Sequence, residues 1–167
     1  MSRDILYESA SELVKEYRTR DPIKIMEYEG IDHDFGDIGH LKGFFSVIDN
    51  EPFIAISSNI SKQEQLVVGG HELGHRYHHF DIAKEQCLKE FEIFNMRDVI
   101  ENEANIFAAH LLIDERKLLA ILKYGWSVFE ASQILGINVN LIYIKLAEMN
   151  RWGYNFDLSW GDRNLFG

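Results

Sequence analysis

The spacing of hydrophobic and polar positions changes period along the chain. Ile5, Leu6, Leu13, Val14 and Tyr17 recur at helical spacing, which predicts an amphipathic helix over residues 3–18. Asp21-Pro22 then offers an N-cap with proline at the first helical position, and Gly30 offers a stop, so a short second helix follows. Beyond it the pattern becomes strand-like. Residues 41–48 (LKGFFSVI) and 52–57 (PFIAIS) read as two strands joined by a turn at Asp49-Asn50-Glu51, and residues 31–38 as a third, weaker one. Ser61-Lys62-Gln63-Glu64 is a capping box that opens a helix running to about His79. Gly69, Gly70 and Gly74 lie inside this helix, each at a cost of about 1 kcal/mol against Ala. Close backbone approach by another element is the simplest offset. Helical spacing returns over residues 99–113, and Asp114 can cap the helix after it. Ser127 to Glu130 is a second capping box, Gly136 a stop, and Asn138 the cap of a last helix through Asn150. The expected class is α+β: mostly helical, with a small antiparallel sheet before the Ser61 helix and a helical bundle at the C-terminal end.

Size and composition narrow this picture. The chain has 167 residues, 46% of them hydrophobic, enough for one core, with only two prolines and no linker-like or repeated stretch. One continuous unit from residue 2 to about 156 is expected, divisible at about residue 113 into a core and a bundle (114–156), with a loosely ordered tail at 157–167. Twenty-seven acidic against 17 basic residues give a net charge of -10, which disfavours direct nucleic-acid binding. The first twenty residues mix acids and bases through the apolar positions, unlike a signal or transit peptide, and no 18-residue apolar run follows. A soluble, cytoplasmic protein is expected. Cys87, the single cysteine, has no internal partner for a disulfide and is expected to be a half-buried apolar filler.

The chemistry concentrates in Gly70-His71-Glu72-Leu73-Gly74-His75. On a helix, residues i and i+4 differ by about 40° of rotation and about 6 Å of rise, so His71 and His75 project from one face and can reach one metal ion. Glu72 lies beside the pair, placed to act as a general base on water rather than as a ligand. A catalytic zinc site needs a third protein ligand and an open position. The helix over residues 99–113 offers Glu101, with Asn105 one turn on as a group that could orient a histidine; Glu103 points elsewhere but stays possible. For His78 and His79 a solvated helix end is the plainer reading, with contact to the site as the alternative. His33, His40 and His110 read as ordinary surface or core histidines.

Taken together, HELGHRYHH followed by ENEANIFAAHLLI resembles the ImmA/IrrE family of metallo-endopeptidases, whose pattern is HExxHxxxH, then Glu-x-x-x-Asn, then an FAxxLL-type run. The resemblance spans nearly the whole chain. It implies a zincin-like fold, zinc held by His71, His75 and Glu101 rather than Glu103, Glu72 as the base, and His79 and Asn105 as supporting residues. Asp114 departs from the proline common after the LL run. Small members of this length look like antirepressor proteases of phages and mobile elements, which implies a helix-turn-helix transcriptional repressor as protein substrate. Two other readings compete with it. One is an antirepressor that binds without cutting, which the intact Glu72 speaks against; the other is a structural zinc domain, which would need His78 or His79 as a fourth ligand.

The last third reads as helix, turn, helix. A DNA reader would need cations on the second helix, yet NVNLIYIKLAEMN offers only Lys145 among aliphatic residues. Packing against the metal-bearing helices is expected instead. Tyr143 aligns with a tyrosine of some relatives and could reach the site, although a core role is the plainer account. The aromatic stretch from Arg151 to Trp160 either covers the core or meets a partner.

Overall fold

The structure, a computed structural model, describes residues 2–90 and 99–158. Helix α1 (Arg3–Tyr17) buries Leu6, Ala10 and Leu13, while Ile5 faces out. Helix α2 (Pro22–Glu29) begins where Asp21 accepts the amide of Ile23 and ends at Gly30, whose φ of 65° closes it in the left-handed region. Strands β1 (Asp32–Gly36), β2 (Gly43–Ile48) and β3 (Glu51–Ser57) follow. The β2–β3 turn is shorter than expected. Asp49 and Asn50 both have positive φ (51° and 68°), the pattern of a two-residue hairpin, and Glu51 already pairs with Ile48.

Helix α3 (Lys62–His78) starts from a complete Ser61–Glu64 capping box. Then come α4 (Phe80–Glu85), β4 (Leu88–Glu90), α5 (Val99–Leu112), α6 (Glu115–Lys123), α7 (Val128–Leu135) and α8 (Val139–Arg151). The sheet corrects the expectation in two ways. Its order is β1-β3-β2-β4; β1 runs parallel to β3, so the sheet is mixed, and its β4 edge comes from beyond α3. A three-residue strand carries too little periodicity to be read from sequence.

Helix α3 packs on β2 and β3 and, on another side, along α5, which is flanked in turn by α1 and α8. Residues 103–111 of α5 are buried all round, as an interior helix requires. The costly glycines explain how α3 comes so close. A Cβ at Gly74 would stand 3.0 Å from the Ala104 Cα and 3.2 Å from its carbonyl oxygen, and one at Gly70 would press on Leu112 and Ala108. The nearest neighbours of a Cβ at Gly69 would be the side chains of Ile23, Pro22 and Ile56. The small faces Gly70/Gly74 and Ala104/Ala108 therefore mesh.

The C-terminal helices join the same apolar cluster, which reaches from Leu6 to Met149. Lys145, the cation that the sequence offered in the middle of the would-be reading helix, is 2% exposed. Its Nζ donates to His110 Nδ1 at 3.1 Å, lies 3.7 Å from Glu115, and faces the rings of Trp152 and Tyr7. Burial lowers its pKa to about 8. It cannot meet a phosphate backbone. His110 is a core histidine, lowered to about 3 mainly by burial. Trp152 stacks on His110, and the Asn150 amide clamps the backbone of Phe156 (3.0 and 2.8 Å), so the aromatic stretch covers the core as far as Leu158. Of the tail expected to be loose (157–167), Leu158 packs on the core, and 159–167 lie outside the described residues. Cys87 is exposed rather than half-buried. Among the described residues no helix is long and apolar enough to cross a membrane.

Candidate metal centre

Helix α3 sets His71 and His75 one turn apart, and the α3–α5 mesh at Gly74 brings Glu101 of α5 against them. His71 Nε2 and His75 Nε2 are 3.0 Å apart. Glu101 stands 3.1 Å from the first through Oε2 and 3.5 Å from the second through Oε1. One ligand atom from each of the three lies within 4.8 Å of the others, a group that could hold a metal ion.

The protons decide what this cluster needs. The Glu103 carboxylate accepts, so His79 Nε2, 3.0 Å away, carries a hydrogen and donates it. That leaves His79 Nδ1 as an acceptor, filled by the N–H of His75 Nδ1 at 2.9 Å. His75 Nε2 is then bare. On the other side His71 Nδ1–H donates to Asn105 Oδ1 at 3.1 Å, so His71 Nε2 carries no hydrogen either. Burial keeps the His75 ring neutral: its pKa is lowered to about 4, chiefly by desolvation, with the Glu101 hydrogen bond opposing. Two lone pairs and a carboxylate thus converge in a buried site. Such a set repels itself unless a cation occupies the middle, and two imidazoles with one carboxylate is a zinc-type donor set with room for a further ligand. The residues fit the metal.

The surrounding groups fall into place by their contacts. Asn105 and His79, expected near the site, each hold one imidazole. Contrary to the solvated-end reading, His79 is 3% exposed. Both of its nitrogens are engaged away from the cluster, and His78 bonds Ser9 Oγ at 2.9 Å, so neither supplies a fourth ligand. Glu103 faces His79 and not the cluster. Tyr143 lies half-buried on α8 and, among the described residues, makes no hydrogen bond to any of these groups. His33 bonds the carbonyl of Ile31, just before its strand, and His40 is exposed.

Glu72 is 0% exposed, on the same turn as His71. Gly43 on β2 makes room for it: a Cβ there would meet Val68 Cγ1 at 2.4 Å and Glu72 Oε1 at 2.7 Å. The sequence reading missed Gly43. A lone glycine in a strand is the signal that could have found it, since it marks close approach. It also missed what Glu103 does. Glu103→Gln, whose amide can present an N–H to His79 and reverse the tautomers, should weaken zinc binding by about 10–100-fold, as loss of such outer partners does. Competition with a chromophoric chelator reads this out; unchanged affinity would show that the carboxylate is dispensable.

A helix bearing His71, Glu72 and His75, with a carboxylate from a second helix against the two histidines, is the arrangement that a metallopeptidase requires. Residues 27–148 match the family model Peptidase_M78, the IrrE N-terminal-like domain, and the chain belongs to that family. The resemblance read from HELGHRYHH and ENEANIFAAHLLI is borne out. No curated protein matches the chain.

Proposed function

We propose that this chain is a zinc-dependent endopeptidase whose substrate is a helix-turn-helix repressor, making it an antirepressor of a phage or mobile element that works in the cytoplasm. The observation that carries the catalytic part is the fully buried Glu72 carboxylate beside the His71, His75 and Glu101 group. Zinc, when held there, supplies a Lewis acid for the scissile carbonyl. Glu72 takes the proton of the attacking water, holds it on its carboxylate and delivers it to the leaving amine. Asn105 and the His79–Glu103 pair keep the two imidazoles turned with bare Nε2 atoms inward. The substrate class rests on the family resemblance carried by HELGHRYHH and ENEANIFAAHLLI. A protein rather than DNA as the direct partner is supported by the net charge of -10 and by the burial of Lys145.

The test is co-incubation of the zinc-loaded chain, and of Glu72→Gln, with the repressor encoded beside its gene, read by intact mass. Two complementary fragments from the parent and none from the variant support the proposal. An uncut repressor that nevertheless leaves its operator when the variant is added would mean action by binding.

Metal removal separates catalysis from scaffolding. The apolar cluster from Leu6 to Met149 contains none of the three donor residues. Chelation should therefore stop cleavage while far-ultraviolet dichroism stays folded, with a modestly lower Tm. Unfolding on chelation would favour a structural zinc.

A further inference from the structure

Beside the metal centre lies a cavity of about 510 Å³ that the mechanism does not use. Its walls are Lys42, the first turns of α3 and the α7–α8 corner. Two features tie it to the reacting centre. Gln63 and Val67 line it, and Val67 stands one i, i+4 step before His71, about 40° round and about 6 Å along α3, so the cavity opens next to the metal-bearing face. Lys42 also lines it, and the next residue, Gly43, is the one that abuts the Glu72 carboxylate.

The chemistry of the lining selects an occupant. Lys42 is paired with Glu64 at 3.3 Å, so the two formal charges in the lining cancel. Gln63 and Gln133, both exposed, and the half-buried Asn140 bring side-chain amides to the lining. Phe129, 64% exposed, offers an apolar ring at the rim. Amides donate and accept at once, which matches the alternating C=O and N–H of an extended peptide. A phosphate would find no unpaired cation. The volume is within the range of built ligand sites, about 300–1,000 Å³.

We infer that this groove is a substrate subsite: it takes an extended, uncharged stretch of the polypeptide a few residues to one side of the bond being cut. The inference rests on the peptidase reading, and two readouts keep their failures apart. The first needs no turnover. A photoreactive benzoylphenylalanine at position 129 in the Glu72→Gln chain is irradiated with a mixed library of synthetic linear peptides, and the same label at Tyr28, an exposed residue of α2, serves as control. Saturable crosslinks at 129, absent at 28 and weakened by Gln133→Arg, are expected; labelling no stronger at 129 than at 28 would overturn the subsite. The second compares cleavage of that library by the zinc-loaded parent and by Gln133→Arg. Selection several residues from the cut should change, and the best parent sequence should be cut about tenfold less efficiently through KM, with kcat retained. Identical profiles would overturn the inference. Crosslinking at 129 with no cleavage by the parent would support peptide binding in the groove and count against the peptidase reading alone.

Discussion

A Glu72→Gln chain folds and binds zinc as the parent does, and cuts its substrate more slowly by about 10²–10⁴-fold, the usual contribution of a positioned general base. Three observations support this outcome. Glu72 is fully buried, so its carboxylate acts locally and bulk water does not replace it easily. It is absent from the three-residue group that could hold the metal, so an isosteric amide leaves the ligands alone. Gly43 holds open the space it occupies, space that glutamine fills equally well. Single-turnover cleavage gives the rate, and a chelator titration gives the zinc affinity. Undiminished cleavage would remove Glu72 from the mechanism; lost zinc would make it a ligand.

Gly74→Val should lower stability by about 3 kcal/mol or more, since the strain of an overpacked contact exceeds the roughly 1 kcal/mol of helix propensity gained on replacing glycine. The new side chain meets backbone: Ala104 Cα would lie 3.0 Å from the Cβ alone, and a helix backbone cannot rotate aside. Helix α3 would have to lift from α5, and Glu101 would leave His71 and His75. Loss of fold and loss of metal should therefore appear together. Gly69→Ala is the comparison, because it meets the far ends of Ile23 and Ile56 and the Pro22 ring, and it should cost far less. Urea unfolding of both variants decides the matter. Equal effects at the two positions would mean that the α3–α5 approach does not depend on Gly74.

Local signals accounted for much of what the sequence made legible. Both capping boxes, the Asp21 and Asp114 caps and the Gly30 and Gly136 stops formed as expected, because each is satisfied by atoms within a few residues. The hairpin was legible for the same reason. The parallel β1–β3 pairing and the β4 edge were not, since both depend on partners far along the chain. Cys87 was misplaced because a lone apolar-leaning residue beside a short edge strand carries no periodic signal for burial.

The sequence by itself determined the spacing of His71, Glu72 and His75 on one helix and the presence of an acidic helix downstream, because a helical repeat converts spacing directly into a shared face. The sequence favoured Glu101 while leaving Glu103 possible, and only the tertiary structure set Glu101 against His71 and His75 and Glu103 against His79. Glu101 and Glu103 differ by two positions on one helix, and the Gly74–Ala104 contact sets the rotation and depth of that helix against α3. Lys145 was legible only as a cation among aliphatic residues, and only packing against Tyr7, His110 and Trp152 placed it inside. Local hydrogen bonds and periodicity are encoded within a turn or two of the chain, whereas the assignment of equivalent side chains to different partners depends on contacts between helices distant in sequence.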